Sequence, residues 1–223
     1  MLFICGAFLF PIIYIRFADK PKIRSFITHH PAITMPYISI EEHLPGVTGL
    51  LEYRKDAAAS LRELTQLLLR GPSSLSEAER ELIATIVSHR NGCVYCATSH
   101  TAAANAFLEE TETAEIMKKD ISAAPLSDKM KALLLIATLV QESGKAVTQQ
   151  AIDKAKLAGA TEMELHDTVM IAALFCFYNR YVDGLATIAP TDPEYYNSMA
   201  QRLKENGYYR PEKGYDHLKK KDQ

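Results

Sequence analysis

The sequence predicts an all-α fold, and three observations carry that prediction. Apolar residues recur at helical spacing through most of the chain, and caps and stops punctuate it at short intervals. The only stretch with the alternation of a strand is "YISI" at 37–40. With 223 residues and 48 % apolar content, the chain can bury a large core unaided, so folding needs neither a metal nor a disulfide staple.

The chain opens on "MLFICGAFLFPIIYI", an apolar run of about 15 residues, short of the roughly 20 that a bilayer span needs and interrupted by Pro11. A secretory signal would carry Lys or Arg ahead of the apolar core, whereas the first basic residue is Arg16. Residues 1–34 are therefore read as an N-terminal extension, and Met35 as the natural start or the start of the folded domain. That domain is expected over 35–207. Residues 208–223, with the run Lys219, Lys220, Lys221, read as a polar, solvated tail.

Within the domain, "DAAASLRELTQLLLRG" places Leu61, Leu64, Leu67 and Leu68 on one helical stripe and stops at Gly71. In "SEAERELIATIVSHRNG", Ser76 and Glu79 form a capping box, Leu82, Ile83, Ile86 and Val87 make an apolar face, and Asn91-Gly92 closes the element. A second helix at about 93–108 is rich in alanine and other small residues, which lets neighbours approach closely and marks it as central. Further helices are expected at 127–144, 147–158 and 161–186, the last opening with a Thr161/Glu164 box, and one more within "DPEYYNSMAQRLKENG". Short connections make the whole a helical bundle.

An internal echo runs through this pattern. Glu81 lies twelve residues before Cys93 and Glu164 twelve before Cys176, each Glu being read as the third position of a capped helix start. One reading is a diverged duplication whose second copy has Asn179 for Cys96 and Asp183 for His100. The other is two amphipathic helices with similar caps.

Composition excludes several function classes. A net charge of -2 and a pI near 6.4 leave no basic field for a polyanion, so neither nucleic acid nor a membrane is an expected partner. Four unevenly spaced cysteines (Cys5, Cys93, Cys96, Cys176) make no secreted disulfide framework. They fit a reducing, cytoplasmic setting, where close thiols are usually catalytic or metal-binding.

The chemistry concentrates in "NGCVYCATSH" at 91–100. At about 100° per residue, Cys93, Cys96 and His100 fall within an arc of roughly 60°. Following Asn91-Gly92, the cysteine pair is expected in the first turn of its helix, where free N–H groups and the dipole favour thiolate. His100 then stands ready to relay a proton, with Glu81 on the preceding antiparallel helix to accept it or orient the ring. Haem attachment is closed because Ala97, not histidine, follows Cys96. Structural zinc needs a fourth donor such as His89, Glu81 or a partner chain, and a thioredoxin-type site needs a βαβ unit that this sequence lacks. A buried structural cysteine pair is the remaining alternative. Asn179, Arg180 and Asp183 are assigned either to a pocket or to an intersubunit contact, and Cys176 to the core.

The segment "ERELIATIVSHRNGCVYCATSH" resembles the core of the AhpD-like alkylhydroperoxidase (peroxidase-related) branch of the carboxymuconolactone decarboxylase superfamily. Its pattern of Glu, eleven residues, Cys, two, Cys, three, His is matched by Glu81, Cys93, Cys96 and His100. The likeness runs from about Pro45 to Pro193 and includes "NRYVDGLA". The resemblance implies an AhpD-like helical fold whose helices mediate assembly into trimers or hexamers, and reduction of hydroperoxides without a bound cofactor or metal. By carry-over, Cys96 is the peroxidatic nucleophile, Cys93 the resolving thiol, and Glu81 with His100 the proton relay. The implied reductant is a dithiol carrier of lipoyl or thioredoxin type. The superfamily's decarboxylases lack the cysteine pair. One position departs: the best-studied branch has histidine before the second cysteine, where this chain has Tyr95, a poor base but a hydrogen-bond donor. A dithiol–disulfide oxidoreductase or a redox sensor without peroxide turnover is the alternative function.

Overall fold

The structure is a computed structural model that describes residues 35–219. The readings of the extension at 1–34, of Cys5, and of Lys220 and Lys221 fall outside these residues. Among the described residues there are nine α-helices and no strand: α1 Gly46–Tyr53, α2 Lys55–Arg70, α3 Glu77–Arg90, α4 Val94–Leu108, α5 Glu112–Lys119, α6 Asp128–Glu142, α7 Gln149–Leu157, α8 Glu162–Gly184 and α9 Pro193–Asn206. The all-α expectation holds. "YISI" is irregular, and Tyr37 gives its backbone N–H to Leu185 rather than to a neighbouring strand.

Local chemistry explains the boundaries. Ser76 accepts from the backbone N–H of Glu79, whose carboxylate accepts from the N–H of Ser76; Thr161 and Glu164 repeat the box on α8. Ser127 and Thr148 cap α6 and α7, and Asp192 caps α9 with Pro193 in its first turn. Gly92 turns with a φ of +73°, a conformation that costs glycine little. It folds α4 back onto α3. The helix around residue 50 and that at 112–119 escape a reading based on amphipathic stripes because each is only 8 residues long.

Helix α3 is the axis of the bundle. From Arg80 to Ser88 every residue is buried, with α4, α6 and α8 packed around it. The main core gathers Leu82, Ile83, Ile86 and Val87 with Leu133, Ile136, Ile171 and Phe175. On α2 the inward stripe is shifted from the expected one. Leu68 and Leu69 are buried and Leu61 and Leu64 pack beneath them, whereas Leu67 points to solvent. A second, smaller cluster joins Leu50, Cys93, Tyr95, Cys96, Val182 and Tyr196, so the cysteine pair sits where α1, α4, α8 and α9 meet.

Two readings are corrected by these details. Glu79, not Glu81, occupies the third position of its helix, and the supposed second copy is one unbroken helix of 23 residues through Cys176, without the turn that sets Cys93 at a helix start. Residues 208–218, read as polar tail, pack back on the helices, with Tyr215 buried and accepting a hydrogen bond from Arg62.

Candidate active site

Glu81 comes from the middle of α3 and is fully buried. Its carboxylate is satisfied on both oxygens. Oε2 lies 2.7 Å from His100 Nδ1, while Oε1 accepts from the Arg70 guanidinium at 2.6 Å and from the Tyr208 hydroxyl at 2.6 Å. Burial pushes the carboxyl pKa up, but His100, Arg70 and Tyr208 outweigh it and bring it down to about 2. A carboxylate accepts only, so His100 Nδ1 carries a proton and Nε2 is the open nitrogen of the neutral ring. Phe175 holds the imidazole edge-on, ring centroids 4.4 Å apart, and Tyr208 stacks beside it at 6.3 Å.

Cys96, Ser99 and His100 present one side of α4 to a cavity of about 80 Å³. Phe175, Met199 and Leu203 give it apolar walls, and Arg62 and Arg202 add two guanidinium groups. Ser99 Oγ is buried and has no hydrogen-bond partner among the described residues.

Cys93 is placed differently from the expectation. It is the residue before the first turn of α4, not within it, is fully buried, and does not line the cavity. Hydrogen bonding to Cys96, burial, the charge on Cys96 and a contact with Asp183 all push its thiol pKa well up. Cys93 is thus disfavoured as a thiolate, and both thiols are free.

Of the four residues singled out from sequence, Glu81, Cys96 and His100 share the site directly, and Cys93 stands behind Cys96. Tyr95 lines the cavity without a hydrogen bond to His100 or Glu81. Its hydroxyl lies 3.2 Å from that of Tyr195, and its ring occupies the place a side chain on Gly46 would take. Asn179 is buried in a chain of amides, donating to Ser88 Oγ at 3.0 Å and accepting from Asn91, which in turn accepts from Gln141. That network braces the α3–α4 turn. Arg180 is exposed, donating to the carbonyl of Cys176. No three His, Cys, Asp or Glu side chains converge as a metal site requires among the described residues, and no described helix is long and apolar enough to cross a membrane.

Sequence reasoning missed Arg70, Ser99, Arg202 and Tyr208. Only Tyr208 left a signal: "GYYRP" puts two aromatic residues directly after a helix stop in a stretch otherwise polar.

Residues 55–118 match the carboxymuconolactone decarboxylase family model, a span that runs from α2 to α5 and contains all four motif residues. No curated protein matches the chain. Among solved structures, an uncharacterised peroxidase-related protein from Silicibacter sp. TM1040 superposes with a TM-score of 0.63 at 22 % identity, covering 70 % of this chain and 80 % of that one. An alkylhydroperoxidase AhpD core protein from Ralstonia eutropha JMP134, also an uncharacterised peroxidase-related protein, gives 0.63 at 22 %, covering 70 % and 81 %. A protein of unknown function from Agrobacterium tumefaciens, named as a candidate AhpD antioxidant defence protein, gives 0.58 at 16 %, covering 64 % and 97 %. The 55–118 segment is thus similar to the carboxymuconolactone decarboxylase family, and the chain has the fold of the AhpD-like solved structures.

Proposed function

We propose that this protein is a thiol peroxidase that reduces small organic hydroperoxides through Cys96 and Cys93. The observation that carries the reading is the division between the two thiols: Cys96 opens on the cavity beside His100, and Cys93 is fully buried behind it, its thiol pKa pushed up.

The Cys96 thiolate attacks the distal peroxide oxygen and the O–O bond breaks. Cys96 becomes a sulfenic acid, and the leaving alkoxide takes a proton delivered by way of His100 to give the alcohol. The sulfenic acid then condenses with the Cys93 thiol, forming the Cys93–Cys96 disulfide and releasing water. An external dithiol, of the lipoyl or thioredoxin class, restores both thiols and leaves as its own disulfide. In sum, one hydroperoxide and one dithiol give one alcohol, one water and one carrier disulfide. Glu81 fixes the His100 tautomer so that Nε2 is the nitrogen that exchanges protons, a positioning role that Arg70 and Tyr208 support by holding the carboxylate charged.

The test is a single turnover. Fully reduced protein is mixed with one equivalent of tert-butyl hydroperoxide, peroxide loss is followed, and thiols are mapped by mass spectrometry. Loss of peroxide with a Cys93–Cys96 disulfide is the expected result. Peroxide that persists with both thiols free overturns the reading.

A further inference from the structure

The cavity beside Cys96 has a charge pattern that the peroxide chemistry does not use. Two guanidinium groups line it, those of Arg62 and Arg202, and no carboxylate does. The two arginines are not equivalent. Arg62 is neutralised by Glu52 at 3.2 Å and donates to the Tyr215 hydroxyl at 2.9 Å. Arg202, from α9, lies over the Tyr215 ring 5.9 Å from its centroid and has no hydrogen bond or ion pair among the described residues. The same ring carries Arg62 at 5.8 Å, so two like charges flank one tyrosine.

Among the described residues no carboxylate forms an ion pair with Arg202. Glu52 already serves Arg210 at 2.9 Å as well as Arg62. Asp192 and Glu194 share a neighbouring pocket with Arg202 without an ion pair to it; Asp192 accepts from the Glu194 backbone, and Glu194 accepts from Ser198 Oγ. A half-buried guanidinium left unpaired beside a second one is a poor arrangement for stability alone, because Arg202 gives up hydration without an ion pair of its own. The buried, unpartnered Ser99 Oγ in the same cavity independently calls for a polar ligand group.

We propose that the cavity takes a substrate bearing a carboxylate, with the anion on Arg202 and the reacting polar group toward Ser99 and Cys96. Resting on the peroxidase reading, the substrate class is a short hydroperoxide of a carboxylic acid rather than a neutral alkyl hydroperoxide. Guanidinium suits a carboxylate because its planar fork can donate two parallel hydrogen bonds. Met199, Leu203 and Phe175 then cover the hydrocarbon between the two polar ends.

Two measurements separate this proposal from the peroxidase reading. The first is calorimetric titration of the reduced full chain with hexanoate and with hexanol, neither of which is oxidised. Hexanoate is expected to bind about ten- to a hundredfold more tightly, the range for a charge-assisted hydrogen bond. Arg202→Gln should erase that preference and Arg202→Lys keep part of it. Equal affinities in the native protein, or a preference that survives Arg202→Gln, overturn the anion site. The second compares turnover of 5-hydroperoxy-5-methylhexanoate with that of its methyl ester. A higher kcat/KM for the acid that collapses toward equality in Arg202→Gln supports the substrate class. If both peroxides are consumed equally, the carboxylate proposal fails and the peroxidase stands. If neither is consumed while hexanoate still binds selectively, the anion site stands and the peroxidase falls.

Discussion

Glu81 Oε2 lies 2.7 Å from His100 Nδ1, joining α3 to α4 inside the core. The contact sets the imidazole tautomer, and the same carboxylate neutralises Arg70, whose side chain is only 4 % exposed. Glu81→Gln keeps the shape and removes the charge. It is expected to lower the peroxide rate by about 10²-fold, as for loss of a positioned acid–base group, and to cost about 3 kcal/mol of stability because buried Arg70 is left with only Glu77, at 3.8 Å, as counter-charge. Stopped-flow peroxide consumption and urea unfolding read the two effects separately. A variant with native stability and native rate would remove Glu81 from the relay.

The same carboxylate predicts an acid limb in stability. Its folded pKa is depressed from 4.5 to about 2, so its contribution is complete above pH 4.5 and is lost as pH falls toward 2. Glu164 behaves alike: against burial, Lys129, the Thr161 N–H and Ser74 hold it at about 2. Unfolding free energy should therefore fall steeply between pH 4.5 and 2, and Glu81→Gln should make that slope shallower without abolishing it. Equal slopes in both proteins would mean that Glu81 titrates normally.

Tyr208 reaches the site from the segment after α9 and donates to Glu81 Oε1 at 2.6 Å. Tyr208→Phe keeps the ring stacked on His100 and removes one of the three groups holding the carboxylate. Loss of a hydrogen bond to a charged acceptor is worth about 1.5–3 kcal/mol. The acid limb of the pH profile of peroxide consumption should move to higher pH in the variant, because the Glu81 carboxyl loses one of the groups that hold its pKa down. A chain ending at residue 207 should show the same shift with a larger loss of stability, since Tyr215 leaves with Tyr208. An unchanged pH profile in Tyr208→Phe would reduce Tyr208 to packing.

The fold was largely legible because caps are local chemistry. Ser76, Ser127, Thr148, Thr161 and Asp192 each bond to N–H groups two or three residues away, so their helices announce their own starts. Leu67 was misplaced because one helical stripe has two neighbouring registers, and only the packing of α2 on α3 and α8 selects the one containing Leu69. The motif residues were legible for the same local reason, their spacing being helical. Arg70 and Tyr208 were not: they lie eleven residues before and 127 residues after Glu81, and nothing in either neighbourhood records that a buried carboxylate needs them. Cys93 was placed one position too far into the helix; it is the residue before the first turn, buried behind Cys96 and away from the cavity.

Gly46 is a position where only glycine fits. Its φ is +57°, and the Tyr95 ring fills the space a Cβ would need. Gly46→Ala should cost about 2 kcal/mol or more, combining left-handed strain with overpacking. Because Tyr95 lies between the two cysteines, the displacement should also slow disulfide formation between Cys93 and Cys96. Thermal unfolding and single-turnover mapping of the variant test both. Native values for both would show that Tyr95 yields freely.

The placement of the thiols predicts the order in which they react. Cys96 opens on the cavity, whereas Cys93 is fully buried and kept protonated by Cys96, burial and Asp183. Since the thiolate is the nucleophile, limiting iodoacetamide at neutral pH should label Cys96 ahead of Cys93 by about tenfold or more. Cys176, partly exposed and outside the cavity, serves as the internal reference on the same peptide map. Cys93→Ser should still consume one equivalent of hydroperoxide and leave a sulfenic acid on Cys96 that dimedone captures, while Cys96→Ser should consume none. The opposite order of labelling, with peroxide consumption surviving Cys96→Ser, would exchange the roles of the two cysteines and move the reacting centre out of the cavity.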